Sequence, residues 1–164
     1  MEGAMLDSDI YSDGFNSYAN LSECREYASA RGLSLPDTDS ELSTLMLQAM
    51  DYLEGRGWRG IPAVPGQNLA WPRAGVIRDF HRIPRDSVPT QVKHAQCRLA
   101  FEAQEIDLQP STESGSEVLS EAVSGAVSVS YAEGTRKAQP SFAAVNALLR
   151  GLCIGSSQIA VVRG

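Results

Sequence analysis

The chain has 164 residues, 43% hydrophobic and 21% charged, proportions that fit one soluble globular domain long enough to bury a core. No apolar run approaches a membrane span and the first residues lack a signal-peptide layout, so the sequence predicts a protein that stays in the cytoplasm where it is made, with no membrane partner. The net charge of −6 is uneven: residues 1–50 carry nine acids and two bases, residues 51–100 four and eight, and residues 101–164 seven and four, giving −7, +4 and −3.

Residues 1–17, rich in Asp, Ser and Gly, are expected to form a flexible acidic arm, ordered only where it touches something. The domain proper is expected over 18–154. Asn20 with Glu23 has capping-box spacing, and Leu21, Cys24, Tyr27 and Ala28 share a helical face before Gly32, which predicts a first helix over about 21–31. Thr38 with Glu41 offers a second box. Leu42, Leu45, Met46, Ala49, Met50 and Leu53 then recur at three and four, predicting a helix over 39–54 whose methionines are core.

From Arg56 to Arg85 the prolines Pro62, Pro65, Pro72 and Pro84 and several glycines predict a long structured loop. Its Gln67-Asn68-Leu69-Ala70-Trp71-Pro72-Arg73 stretch reads as a structural clasp, with Trp58, Leu69, Trp71 and Pro72 pinning the loop to the helices. Arg73, Arg78, Arg82 and Arg85, with His81, make the loop basic; a solvated loop and contact with an acidic partner or a nucleic acid backbone both account for that. A third helix is expected over about 88–106, with Ser87 or Val88 as cap and Val92, Ala95, Leu99, Ala103 and Ile106 on its apolar face.

Residues 107–117 read as a connector. Val127, Val129 and Tyr131 alternate with small polar residues in a half-buried strand, and residues 118–123 are the expected hairpin partner, giving a hairpin over about 118–131. Two strands are marginal in water, so Val127, Val129 and Tyr131 are expected to lean on the helices or on a neighbouring copy as a subunit interface. Phe142 to Leu152 read as a last short helix, over about 141–152. In the tail from residue 155 on, Ile159, Val161 and Val162 beside Arg163 form an apolar, strand-prone end expected to dock on a partner or fold back on its own domain. The fold class is therefore mainly α, a bundle of three to four helices with a β-hairpin and an extended C-terminal tail.

Reactive constellations are missing from the sequence. His81 and His94 lack ligand spacing, Cys24, Cys97 and Cys153 are odd in number and far apart, and phosphate-loop and nucleophile-elbow patterns are absent. No catalytic, cofactor-binding or metal-binding residue is expected, and the chain does not read as an enzyme.

Tyr18-Ala19-Asn20-Leu21-Ser22-Glu23, Trp58, Gln67-x-Leu69-x-Trp71-Pro72-Arg73-x-Gly75, Ile83-Pro84 and Val88-Pro89-x-x-Val92-Lys93-x-Ala95-Gln96-Cys97-x-Leu99-Ala100 resemble the head-to-tail adaptor proteins of tailed bacteriophages, often filed as DnaT-like single-stranded DNA-binding proteins. The resemblance covers roughly residues 16–152; Cys24 departs from it, standing where a small alanine is usual. It implies a structural virion protein in the neck, assembled in the host cytoplasm as a ring of about twelve copies. Such a ring would sit beneath the portal protein, extend the channel for packaged DNA and give tail or stopper proteins a docking surface. On that reading Arg73, Arg78, Arg82 and Arg85 face a partner or the channel DNA, and Ile159, Val161, Val162 and Arg163 dock on the portal. The alternative is a DnaT-like single-stranded DNA-binding module in replication, which needs exposed aromatics interleaved with Lys and Arg.

Overall fold

Asn20 and Thr38 set where the chain begins to coil. In the computed structural model, which describes residues 5–111, 127–128 and 140–155, Asn20 Oδ1 accepts from the Glu23 amide at 2.8 Å while Glu23 Oε2 accepts from the Asn20 amide at 2.8 Å. This reciprocal box opens α1 (Leu21–Ala30), and Gly32 at φ +65° follows its end. Thr38 caps α2 (Asp39–Glu54) without the reciprocal backbone bond: its Oγ1 accepts from the Glu41 amide at 3.4 Å and donates to Glu41 Oε2 at 2.8 Å. Leu42, Met46, Ala49, Met50 and Leu53 are all buried, so the methionine stripe is core.

Helix α3 (Thr90–Glu102) starts later than its sequence suggests, because Pro89 takes the cap position and neither Ser87 nor Val88 caps it. It is the hub of the domain: it packs most extensively on α2 and also touches α1 and the short α4 (Ala143–Leu148). The last helix is shorter than the 141–152 expected, since Ser141–Phe142 are extended and Gly151 at φ +81° stops the coil.

Among the described residues the strands come as three short antiparallel pairs. β1 (Ile61–Pro62) pairs with β2 (Arg73–Ala74), β3 (Ile77–Arg78) with β4 (His81–Arg82), and β5 (Val127–Ser128) with β6 (Ser141–Phe142). Among the described residues the domain is a small α+β one of four helices and short strand pairs, so the expected helices are joined by more strand pairing than the single hairpin expected. The expected strand at Val127 pairs Val127 with Phe142, beside the start of α4, a long-range contact that local periodicity does not encode. Val129, Tyr131, the 118–123 segment and the tail residues Ile159, Val161, Val162 and Arg163 lie outside the described residues, as do the side-chain surroundings of Val127.

Residues 5–17, expected as an arm, lie against the domain. Asp7 organises them: its carbonyl accepts from the Asn16 amide at 2.9 Å and the Ser17 amide at 3.1 Å, and its carboxylate accepts from the Ser12 hydroxyl. Phe15 is buried beside Tyr18. Gln96 of α3, fully buried, ties this segment down: its Oε1 accepts from the Tyr18 and Ala19 amides at 3.1 and 2.8 Å, and its Nε2 donates to Ser17 Oγ and to the Met46 carbonyl. Cys24 and Cys97 face each other between α1 and α3, and the neighbouring thiol together with burial pushes Cys97 up into the neutral form.

Candidate nucleic-acid interface

The loop layer between α2 and α3 is held from below by an aromatic and ionic clasp. Trp71, fully buried, meets Trp58 edge to face with ring centroids 5.6 Å apart, and Trp58 Nε1 donates to the Leu53 carbonyl at the end of α2. Leu69 and Pro72 are half-buried at its edge, and the Trp71–Pro72 bond is cis. Beneath the indole, Tyr18 Oη donates to Glu54 Oε1, Glu54 Oε2 accepts from the Ala70 amide at 2.9 Å, and the Trp71 amide donates to Tyr18 Oη at 3.3 Å. Burial raises the Glu54 carboxyl above its usual value, against the lowering pull of the Tyr18 and Ala70 bonds.

Arg73 belongs to this clasp and not to a binding surface, which corrects the sequence expectation. Its guanidinium is buried and donates to the carbonyls of Arg59, Ala70 and Gly60 at 2.7, 3.0 and 2.9 Å. Three backbone acceptors converging under a folded loop explain why a cation sits inside. Gly60 is equally constrained: at φ +72°, an added Cβ would lie 2.3 Å from the Ala74 carbonyl oxygen.

The other three arginines divide. Arg78 is half-buried, packed close to Gly151 and 4.0 Å from Asp79, whereas Arg82 and Arg85 are exposed, Arg85 with one Nη donating to the Ala63 carbonyl at 2.8 Å. Arg59 donates its Nε to the Cys153 carbonyl, and exposed Arg150 adjoins the Gly151 contact, so the hairpin of β3 and β4 stands at an arginine-rich face.

At the tip of that hairpin are Asp79 and Phe80, both with positive φ, +49° and +65°. A two-residue hairpin turn of this kind has positive φ at both central positions, and Asn-Gly or Asp-Gly meets that need without strain. Phe at the second position is therefore held in a conformation disfavoured by about 1–2 kcal/mol. It gains no burial in return: Phe80 is 101% exposed, beside exposed His81 and Arg82. Register does not fray the tip, since Ile77 pairs with Arg82, Arg78 with His81, and the Ile83 amide donates to the Val76 carbonyl at 2.9 Å. Sequence reasoning missed Phe80, though Arg-Asp-Phe-His-Arg carries a signal: an aromatic between cations where a turn calls for glycine.

Beside the hairpin a groove of about 890 Å³ runs between the turns of residues 10–15 and the loop layer. Phe15, Trp71, Pro72 and Pro84 line it, Tyr11 and Val64 stand exposed at its mouth, and Asp13, Arg85 and Asp86 edge it. Gln67 stiffens one wall, its Nε2 donating to the Leu69 and Pro72 carbonyls, and Asn68 ties to the Asp13 carbonyl at 2.9 Å. Among the described residues no cluster of His, Cys, Asp and Glu suits a metal ion, and no helix is long and apolar enough to cross a membrane.

The sequence profile of the family described as "Putative DnaT-like ssDNA binding protein" matches residues 7–164. The chain belongs to this family. The match takes in the clasp, the hairpin and the groove together, all of which fall within the family's span. No curated protein matches the chain, and no solved structure does.

Proposed function

We propose that this member of the DnaT-like family binds single-stranded DNA through the β3–β4 hairpin. The observation that carries the reading is Phe80, fully exposed on a strained turn between Arg78, His81 and Arg82. An unpaired base stacks on such a ring at about 1–3 kcal/mol, whichever base it is, while Arg82 and Arg85 neutralise flanking phosphates and exposed His81 offers a hydrogen bond. Duplex bases are stacked on one another and offer no face to the tip, which favours single strands. A protein of net charge −6 gains little long-range attraction for DNA, so the expected affinity is modest and confined to the basic face.

Anisotropy titration of a labelled oligothymidylate tests this. With about two or three phosphates neutralised, log affinity should fall with log salt at a slope of about −1.5 to −2. Phe80→Ser and Arg82→Glu should each weaken binding about tenfold or more. Salt-independent binding, or a Phe80→Ser protein that binds as well as the parent, would sink the proposal.

The head-to-tail adaptor is the second reading, with a ring beneath the portal, tail or stopper proteins below it and packaged DNA in the channel of a virion neck. One observation favours it: Ile61, Val64, Ile77 and Phe80, all exposed, crowd into a single loop layer of an acidic protein, as expected of a surface made for protein contact. Micrographs of the purified protein would show closed rings on this reading. Neither reading calls for catalysis.

A further inference from the structure

The molecule carries an apolar knob and an apolar hole of matching chemistry. We infer that the groove between residues 10–15 and the loop layer receives the hairpin tip of a second copy of this chain, with Phe80 seated against Val64, Pro72 and Pro84 and Arg82 near Asp13 and Asp86. The knob is Phe80, which at 101% exposure touches nothing of its own chain and is held out by a hairpin of fixed register. The hole is the groove of about 890 Å³, far more than one phenyl ring needs, so part of the turn can follow the ring inside.

Charge selects the occupant. The groove edge holds two exposed carboxylates, Asp13 and Asp86, and one arginine, Arg85, part of whose guanidinium is engaged by the Ala63 carbonyl. Asp7 and Asp9 add to the acidity of the same turns. A phosphate backbone is repelled there, whereas a tip bearing Arg82 is attracted. Asp79, the one acid of the tip, lies 4.0 Å from its neighbour Arg78. Groove and hairpin are joined through Ile83, Pro84 and Arg85, and exposed Tyr11 and Val64 line the groove, so seating the knob of one copy covers them.

This inference is independent of DNA binding, although Phe80 serves both and the two uses compete for it. The test uses the full chain without DNA. Sedimentation velocity across a wide concentration range should show a species heavier than the 17.6 kDa monomer, weakened by salt. Phe80→Ser and Val64→Asp, both at exposed positions, should each raise the dissociation constant about tenfold or more, the loss expected when an interface anchor is removed. Benzoylphenylalanine in place of Phe80, in a mixture of isotope-labelled and unlabelled chains, should crosslink to residues 10–15 or 63–68 of the other copy. A monomer at every concentration, an assembly indifferent to both substitutions, or crosslinks confined to one chain or to another surface would each overturn the inference. Val64→Asp separates it from the proposed function: it should weaken self-association and leave oligonucleotide binding in place. Failure of DNA binding with self-association intact would remove the functional reading alone.

Discussion

Two arginines nine residues apart make the contrast between burial and exposure concrete. Arg73 satisfies three carbonyls under the loop, so Arg73→Met leaves buried acceptors unpaired and should cost about 2 kcal/mol, a fall in Tm of roughly 4–8 °C for a chain of this size. Arg82 is exposed on β4, and Arg82→Met should stay within about 0.5 kcal/mol while weakening oligonucleotide binding. Paired melting curves and titrations check both; equal loss of stability in the two would mean that the hairpin is structural. Glu54 offers a pH signature. Because burial raises its folded value above the usual 4.5, the folded state binds the proton more tightly than the unfolded one. Its contribution to stability is therefore full below the unfolded value and is lost as pH rises through the folded value. Melting curves between about pH 4 and pH 8 should show that decline in the parent and a flatter profile in Glu54→Gln.

At the level of elements, the β3–β4 hairpin and the β1–β2 pair predict opposite responses to substitution at positive φ. Phe80→Gly removes a strain of about 1–2 kcal/mol and returns about 0.5–1 kcal/mol of chain entropy to the unfolded state, so Tm should hold or rise slightly. Loss of the stacking face should meanwhile weaken oligonucleotide binding about tenfold. A drop in Tm of more than about 5 °C would identify Phe80 as a packing residue. Gly60→Ala is the reverse case, since the new Cβ would lie 2.3 Å from the Ala74 oxygen and 2.7 Å from Val76 Cγ2. It should destabilise by more than about 2 kcal/mol and loosen Arg73 as well, because Gly60 supplies one of its acceptors; limited proteolysis between residues 60 and 75 would report the loosening.

For the molecule as a whole, Gln96 is the joint. Four hydrogen bonds from one buried amide link the N-terminal turns, α2 and α3, so residues 5–17 should melt with the helices and not before them. Gln96→Leu fills the same space but strands two amides, a hydroxyl and a carbonyl, and should cost at least about 2 kcal/mol. Protease sensitivity in residues 5–17 should rise along with it; an unchanged melt would show that water replaces the amide.

What the sequence by itself determined was whatever follows from neighbours along the chain. Asn20 with Glu23, Thr38 with Glu41 and the three-and-four spacing of Leu42 to Leu53 placed two helices, because capping and amphipathicity are local and periodic. The clasp was legible through Trp58 and Trp71, since large aromatics among prolines rarely find a place other than the core. Only the tertiary structure decided which arginine is buried, because Arg73, Arg78, Arg82 and Arg85 look alike until backbone carbonyls from distant turns converge on one of them. The same holds for Val127, whose partner Phe142 follows from packing and not from spacing, and for Gln96, whose polar side chain reads as surface until the N-terminal turns and α2 close around it. Phe80 is the remaining case: its ring falls outside the core because the register of two short strands turns it outward, and that register is set by the fold beneath.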